Sequence, residues 1–287
     1  MDTIEALKEI VMRRMAAGEK TAWLNEANMA VLGRAPVPAR RNDTALPPSS
    51  PVPAAPQPAP LRQGDPLRQG GSSPAAAIPS GAPAFPPPPD VSSADWPELS
   101  AACLSCRSCG LCLHRSNVVV EDGSRQAELM FIGEGPGEEE DRQGVPFVGR
   151  AGQLLTKMIA AMKRSRAKDA PGESAVYIAN IVKCRPPGNR NPEPPEAQAC
   201  IGYLKRQIAL VRPRAIVLLG AVPLLGLMGL TGITRRRGQW LDYEGIPVMP
   251  TFHPAYLLRF ERFPAQFVQN KRLVWQDLQM VMERLKG

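Results

Sequence analysis

Residues 128–164 read ELMFIGEGPGEEEDRQGVPFVGRAGQLLTKMIAAMKR and contain three patterns in succession. A continuous apolar run at 129–133 predicts a buried strand, and the glycine-rich residues after it predict a loop. Apolar residues at helical spacing then predict a helix over 153–164. Strand, loop and helix in this order make the unit from which parallel sheets with helical crossovers are built. This stretch therefore predicts an α/β fold.

The same alternation continues to the end of the chain. Three further apolar runs predict strands and three further helical patterns predict helices; the strands are 176–182, 215–220 and 246–251, and the helices are 196–210, 223–228 and 271–285. Continuous apolar strands are typical of sheets covered on both faces. We therefore expect a three-layer α/β/α domain with a central, mostly parallel four-stranded sheet. Ligands of such sheets bind at the carboxyl ends of the strands, so the site is expected there.

The region upstream has a different composition. Of the 32 prolines in the chain, 18 lie between Pro36 and Pro97. Each proline removes a backbone donor and fixes φ, so residues 36–98 are predicted to be a disordered linker before a domain at 99–287. Residues 1–35 carry apolar positions at helical spacing and predict a short helical segment. That segment packs on the core, binds a protein partner or forms only transiently.

Charge is divided unevenly along the chain. The net charge is +8 over 287 residues, and residues 100–287 hold the whole excess, with 26 Lys and Arg against 17 Asp and Glu. A basic domain favours a polyanion such as nucleic acid, and a basic solvated surface is the alternative. No apolar run reaches the roughly 20 residues needed to cross a bilayer, and the first residues lack a signal peptide. The sequence thus predicts a cytoplasmic protein with no membrane partner.

The cysteines are clustered. Four recur at every third residue and two lie far downstream: Cys103, Cys106, Cys109, Cys112, Cys184 and Cys200. In a reducing cytoplasm such clustering favours metal binding over a disulfide framework. A metal centre shared by the last two cysteines would order the proline-rich residues 185–199 between them. The spacing fits zinc as well as an iron–sulfur cluster.

Candidate site residues lie where the predicted strands end. Gly133 and Gly135 leave the main chain free to approach a flat ligand, with Glu134 between them. Asn180 lies in an otherwise apolar strand, where an unpaired amide costs about 1–3 kcal/mol, so it is either paired structurally or offered to a ligand. His253 follows the fourth strand and is placed to donate a hydrogen bond into a crevice; a satisfied structural histidine is the alternative.

Other candidates lie on the loops themselves. Phe147 is either a core aromatic or a ligand contact. The acidic run at 138–141 is either a solvated helix start or the source of one catalytic carboxylate, for which Glu140 is a candidate. Guanidinium groups on loops suit phosphate oxygens or form a solvated basic surface. The arginines proposed as nucleic-acid contacts are Arg185, Arg190, Arg236 and Arg259.

Four segments together resemble the family 4 uracil-DNA glycosylases, the branch of that superfamily with an iron–sulfur cluster. They are CRSCGLCLHRSNVVV at 106–120, GEGPGEEEDRQGVPFVGRAG at 133–152, NIVKCRPPGNRNPEPPEAQAC at 180–200 and TFHPAYLLR at 251–259. Their order and spacing agree with the family from about Cys103 to the C-terminus. The N-terminal third has no counterpart in the family's compact core.

The resemblance implies a DNA-repair reaction. A deoxyuridine is swung out of the helix, its N-glycosidic bond is hydrolysed, and uracil leaves behind an abasic site. Phe147 resembles the aromatic residue on which uracil stacks, and Asn180 resembles the amide that pairs with uracil and rejects cytosine. His253 resembles the imidazole that donates to O2 as negative charge gathers on the leaving base.

Water activation is less closely matched. The best-known glycosylase branch has an aspartate in the first motif, and here that place is Gly135. Glu134 is our candidate for positioning water, with Glu140 as a second. The main chain at Gly133 and Gly135 is expected to bind the base.

The resemblance also implies the cofactor. It assigns a [4Fe–4S] cluster to Cys106, Cys109, Cys184 and Cys200, which leaves Cys103 and Cys112 surplus. Expected partners are uracil-containing DNA and an unidentified protein that binds the N-terminal segment, and the enzyme itself is expected to be a monomer.

Two rival interpretations remain, one from another functional class and one from the same superfamily. One is a metal-stabilised DNA-binding module without catalysis, which would release no base. The other is a superfamily member that binds uracil-DNA without turnover, trapped through a histidine on the loop after the second strand. No histidine occurs at 185–199, which favours turnover.

Overall fold

A computed structural model describes residues 85–286. The predicted helical segment at 1–35 and the predicted linker up to residue 84 lie outside the described residues. In the described range no helix is long and apolar enough to cross a membrane.

The described residues form one six-stranded mixed sheet. Its strands are β1 (Asp122–Gly123), β2 (Leu129–Gly133), β3 (Val176–Asn180), β4 (Ala215–Leu219), β5 (Leu241–Tyr243) and β6 (Ile246–Thr251). The spatial order is β1-β3-β2-β4-β6-β5. The inner four strands are parallel, and β1 and β5 pair antiparallel at the two edges. The four predicted strands are confirmed as this parallel centre, and the two short edge strands extend it.

Eight α-helices of the described range pack around the sheet. They are α1 (Trp96–Ser105), α2 (Glu138–Gln143), α3 (Arg150–Ala161), α4 (Pro194–Val211), α5 (Ala221–Met228), α6 (Ile233–Arg236), α7 (Pro254–Leu258) and α8 (Pro264–Lys286). Helices α3, α4, α5 and α8 correspond to the predicted ones, although α8 begins at Pro264 rather than at residue 271. Helices α1, α6 and α7 were not predicted, and α2 is the helix start that was one interpretation of the acidic run.

Alternate residues of the strands face two separate apolar layers. Met130 and Ile132 of β2 belong to a cluster that includes buried residues of α1, α4 and α5. Leu129 and Phe131 belong to a second cluster that includes buried residues of α3, α7 and α8. Because apolar residues cover both faces of the sheet, its strands contain almost no polar residue. The three-layer α/β/α architecture is therefore confirmed.

Strand register brings the loops of the site to one edge. Gly133, the last residue of β2, is paired with Asn180, the last residue of β3. On the other side, Leu219 of β4 is paired with Thr251 of β6, two residues before His253. All four parallel strands thus end at the same edge.

Packing extends upstream of the predicted domain boundary at residue 99. Val91 is buried, and Trp96 lies against Tyr177 with ring centroids 6.0 Å apart. The Asp95 carboxylate accepts from the Glu98 main-chain N, and the Glu98 carboxylate accepts from the Asp95 N, both at 2.9 Å. This capping box starts α1, because it satisfies amides that the helix leaves unpaired. The last residues of the predicted linker are therefore part of the packed structure.

Candidate functional site

A cavity of about 470 Å³ opens at the carboxyl edge of the parallel strands. The predicted residues among its lining are Glu134, Gly135, Glu140, Phe147, Asn180, Arg190, His253 and Arg259. These residues lie in the segments after β2, β3 and β6, and the strand order of the sheet brings the three segments close together. The volume lies in the range of small-molecule sites and is large enough for one nucleotide base.

Gly133 does not line this cavity but lies behind it. A Cβ at this position would lie 2.4 Å from Asn180 Oδ1 and 2.5 Å from Phe147 Cζ. Glycine is therefore required for the amide and the ring to approach each other across the end of β2. The expected contact between the Gly133 main chain and the base stays a prediction.

Asn180 has an unpaired oxygen. Its side chain is buried, and Oδ1 has no hydrogen-bond partner among the described residues. The main chain is fixed, since the Lys183 ammonium donates to the Asn180 carbonyl at 2.9 Å and to Gln207 Oε1 at 2.6 Å. An orphaned buried acceptor is unfavourable unless a ligand pairs with it.

Phe147 and His253 face each other across the same space. Their ring centroids are 5.6 Å apart at an interplanar angle of 32°. His253 also caps α7, because Nδ1 accepts from the Ala255 main-chain N at 3.1 Å. Burial, with a smaller effect from the Arg259 charge, lowers the pKa of His253 to about 4. The imidazole is therefore neutral at pH 7 with its proton on Nε2, which is left as a donor.

Glu134 supplies a free carboxylate. No hydrogen bond to its oxygens occurs within residues 85–286, and burial raises its pKa while Arg259 opposes that rise. The group is thus partly desolvated and faces the cavity, as a water-positioning carboxylate must.

Both carboxylate oxygens of Glu140 accept hydrogen bonds from the main chain. Its Oε1 accepts from the main-chain N of Val148 at 3.0 Å and of Gly149 at 2.9 Å, and its Oε2 accepts from the Gly137 N at 3.1 Å. These bonds join the start of α2 to the residues that follow Phe147. Glu140 therefore has a structural role in this loop, although its side chain also lines the cavity, and its candidacy for positioning water stays a prediction.

The predicted DNA-contacting arginines differ in their surroundings. Arg259 is exposed at the mouth of the cavity. Arg190 forms a bidentate pair with Glu196, at 2.8 and 2.7 Å. Arg185 and Arg236 donate to acceptors within their own loops. Arg190 and Arg259 thus line the cavity, and Arg185 and Arg236 are not among its lining residues.

All six cysteines line a second, small cavity on the opposite face of the sheet from α8. They are free thiols, and Arg115 Nη1 donates to Cys184 Sγ at 3.0 Å. Burial raises the pKa of the Cys103 thiol to about 12 and that of Cys184 to about 11. No three His, Cys, Asp or Glu side chains of the described residues are spaced as ligands of one metal ion.

The donor set nevertheless fits a thiolate-bound cluster. One enclosed space is lined by cysteines of α1, of the turn after it, of the loop after β3 and of α4. Two cationic side chains, Arg115 and Lys183, lie beside them. Thiolates with adjacent cations are the ligands such clusters use. The cavity does not separate the four predicted ligands from Cys103 and Cys112, which line it too.

Three residues in or beside the site were not predicted from the sequence. Phe252 and Tyr256 line the cavity, with their ring centroids 4.8 Å apart. Lys183 is the third unexpected residue, a fully buried ammonium below Asn180. A lysine inside the apolar run IANIVKC was the available signal for it, because lysines are rarely buried without partners.

Comparisons with known proteins agree with this geometry. A family model described as the uracil DNA glycosylase superfamily matches residues 120–279. A type-4 uracil-DNA glycosylase of Thermotoga maritima is 44% identical over 191 residues, which cover 66% of this chain and 93% of the relative. A type-4 enzyme of Archaeoglobus fulgidus is 40% identical over 164 residues, 54% of this chain and 79% of the relative. A type-5 uracil-DNA glycosylase of Pyrobaculum aerophilum is 32% identical over 146 residues, 47% of this chain and 64% of the relative.

Proposed function

The chain belongs to the type-4 branch of the uracil-DNA glycosylase superfamily, and from this membership we propose how its cavity works. It is a DNA-repair hydrolase that cleaves the N-glycosyl bond of deoxyuridine, releasing uracil and leaving an abasic site. The observation that carries the assignment of residues is that Phe147, Asn180 and His253 line one cavity.

Base recognition rests on Asn180. Uracil offers a donor at N3 and an acceptor at O4, and an amide offers the matching pair. The unpaired Oδ1 supports this role, since it would accept from N3–H. Cytosine has its donor and acceptor exchanged at these atoms, so it leaves buried polar groups unpaired, which is a strong basis for rejection.

Bond cleavage rests on charge stabilisation. As the C1′–N1 bond breaks, its electron pair goes to the base, and negative charge collects on the uracil O2. The neutral His253 imidazole donates from Nε2 to that oxygen, while Phe147 stacks on the ring. A preorganised donor in a pocket that excludes water is worth far more than the same donor in water.

Water delivery is assigned to Glu134. The sugar left behind is oxocarbenium-like, so it needs a positioned water more than a strong nucleophile. A carboxylate near the electron-poor sugar favours that cation and accepts a hydrogen bond from the water. The main chain of Gly135 lies beside it on the cavity wall.

DNA contacts are assigned to basic loops at the mouth of the cavity. Arg259 is the leading contact, and Arg185, Arg190 and Arg236 are proposed to bind phosphates on either side of the flipped nucleotide. The cytoplasmic location, the monomeric state and a partner of the N-terminal segment remain predictions from the sequence.

A [4Fe–4S] cluster is assigned to Cys106, Cys109, Cys184 and Cys200. When bound, it supplies a cross-link between the segment before β1, the loop after β3 and helix α4. Arg115 and Lys183 lie beside the thiols and balance their charge. The four cysteines would then hold the proline-rich loop at 185–199, which carries Arg185 and Arg190, near the DNA.

Cysteine variants test the cluster assignment. We expect Cys184→Ser and Cys200→Ser to lose the bound iron and the broad absorbance near ~400 nm of a thiolate-bound cluster. Cys112→Ser is the matched control from the same cavity, and it should keep both. Iron loss in the Cys112 variant alone would contradict the assignment, and so would zinc in place of iron.

The activity itself is tested with a uracil-containing oligonucleotide. The protein is incubated with the labelled strand, and alkali then cuts any abasic site. We expect a cut at the uracil and none in a thymine control. Tight binding without a cut would favour a binding module, and neither binding nor cutting would contradict the function.

A further inference from the structure

Phe147 has an unusual backbone conformation. Its φ is +55°, in the left-handed region, although it is not glycine. A residue with a Cβ is sterically disfavoured there, and such conformations persist only where the surroundings hold them. The residue proposed to stack on uracil therefore depends on contacts to its main chain.

Arg166 supplies those contacts. Its Nη1 donates to the Phe147 carbonyl at 2.8 Å and to Thr156 Oγ1 at 2.9 Å. Its Nη2 donates to the Pro146 carbonyl at 2.7 Å and pairs with Asp122 Oδ2 at 2.7 Å, to which Nε also donates at 2.7 Å. Four hydrogen bonds and one ion-pair contact thus engage all three nitrogens of the guanidinium.

The two carbonyls depend on this one side chain. Apart from Arg166, no donor of the described residues bonds to the oxygen of Pro146 or Phe147. Helix α3 closes the other side, since a Cβ on Gly152 would lie 1.9 Å from the Phe147 carbonyl oxygen. The Phe147 main chain is held between the guanidinium and the first turn of the helix.

We propose that Arg166 is the positioning residue of the base pocket. It holds Phe147 in the left-handed conformation, and it thereby sets the ring at the separation from Asn180 and His253 that admits one uracil. Asp122, at the sheet edge, holds Arg166 in turn. The proposal rests on the proposed stacking role of Phe147.

Arg166 acts through Phe147 and not on the substrate. It does not line the cavity, and its side chain is only 19% exposed. Lysine cannot replace it, because an ammonium has three donors and lacks the planar fork that reaches two carbonyls and a carboxylate together.

A double-mutant cycle tests this directly. Excision rates are measured for Arg166→Lys, Phe147→Ala and the double variant on the same uracil oligonucleotide. We expect Arg166→Lys to lower kcat/KM by about 10-fold or more in the wild-type background. In the Phe147→Ala background it should have less than about a 2-fold further effect, since residues that act as one unit are not additive.

Arg206 offers a matched control. It also donates to two consecutive carbonyls, those of Ala94 at 2.5 Å and Ser93 at 3.2 Å, far from the cavity. Arg206→Lys should lower the melting temperature and leave kcat/KM unchanged in both backgrounds. Should Arg166→Lys fail to fold, Thr156→Val removes a single acceptor of the guanidinium, and a smaller loss of kcat/KM in the same direction is expected.

The outcomes separate this proposal from the function beneath it. Full kcat/KM in folded Arg166→Lys, or equal losses in both backgrounds, would overturn the positioning role. If Phe147→Ala itself kept full activity, the stacking role would be wrong and the positioning role with it. Activity lost in Phe147→Ala but kept in Arg166→Lys would overturn only the proposal for Arg166.

Discussion

At the scale of single residues, the site depends on polar side-chain atoms that have no hydrogen-bond partner in the described residues. Asn180 keeps an unpaired oxygen, and Glu134 keeps a carboxylate without a hydrogen bond in the described residues. His253 uses one nitrogen to cap α7, which fixes the other as a donor. The main chains of Asn180 and Glu134 and one ring nitrogen of His253 accept hydrogen bonds, which keep these three groups in position.

Residue types alone pointed to these positions. An amide in an apolar strand and a histidine after a strand are unusual enough to be noticed in the sequence. The functions of Gly133 and Glu140 were not visible, because both depend on atoms brought close by other segments. No pattern in the sequence indicated Arg166, because its four partner residues lie in three separate segments.

The shifted pKa of His253 predicts how stability responds to acid. Its pKa falls from 6.5 to about 4 on folding, so the folded state binds the proton less well. The stability it contributes is complete above about pH 6.5 and is lost as the pH falls towards 4. Between pH 7.5 and 5 the loss is at most about 2 kcal/mol.

Urea unfolding at these two pH values checks this. His253→Gln should lose less stability on acidification than the wild type. His114→Gln, which changes the exposed second histidine, should behave like the wild type. An identical loss in wild type and His253→Gln would contradict the buried neutral imidazole.

At the scale of elements, the acidic run at the start of α2 divides into two kinds of carboxylate. Glu140 is buried and accepts three main-chain N–H groups, one at the start of α2 and two directly after Phe147. Its neighbour Glu139 is exposed and pairs only with Arg142 and Gln143. Sequence analysis could not separate them, because their difference arises from which way α2 faces.

This difference predicts unequal effects of two adjacent substitutions. Glu140→Gln should lower the free energy of unfolding by about 1.5–3 kcal/mol, since it weakens hydrogen bonds to a charged acceptor. Glu139→Gln should change it by less than about 0.5 kcal/mol. Chemical denaturation measures both, and equal effects would contradict the structural role of Glu140.

The strands show which elements can be predicted from sequence patterns alone. The four parallel strands are continuous apolar runs because both faces are covered, and each was predicted close to its observed limits. Strands β1 and β5 have two and three residues, too few for any periodicity to be detected. Their pairing is set by the neighbouring strands and not by their own residues.

At the scale of the whole molecule, two cavities share one structural segment. The strand β3 and the residues after it run from Asn180 at the base pocket to Cys184 at the cysteine cavity. Lys183 lies between them, with its ammonium bonded to the Asn180 carbonyl and its side chain lining the cysteine cavity. One short segment therefore contributes side chains to both cavities.

The start of the packed structure gives a prediction about truncation. Removing residues 1–84 should leave uracil excision and melting temperature unchanged, since their sequence predicts a separate helical segment and a disordered linker. Removing residues 1–98 deletes Val91, the Asp95 cap and Trp96, and it should lower the melting temperature by several degrees. Thermal melts and excision assays of the two truncations measure this. Equal melting temperatures would contradict the upstream boundary, and lost activity in the shorter deletion would assign the N-terminal region a role in excision.

The central claim is that the free amide of Asn180 selects uracil in a pocket closed by Phe147 and His253. Its most direct test is the rate of base release by wild type and Asn180→Asp from two oligonucleotides that differ only in uracil or cytosine. We predict that the uracil-to-cytosine rate ratio falls by about 10-fold or more in the variant, because a carboxyl group no longer offers the amide's donor and acceptor pair. An unchanged ratio would contradict the claim.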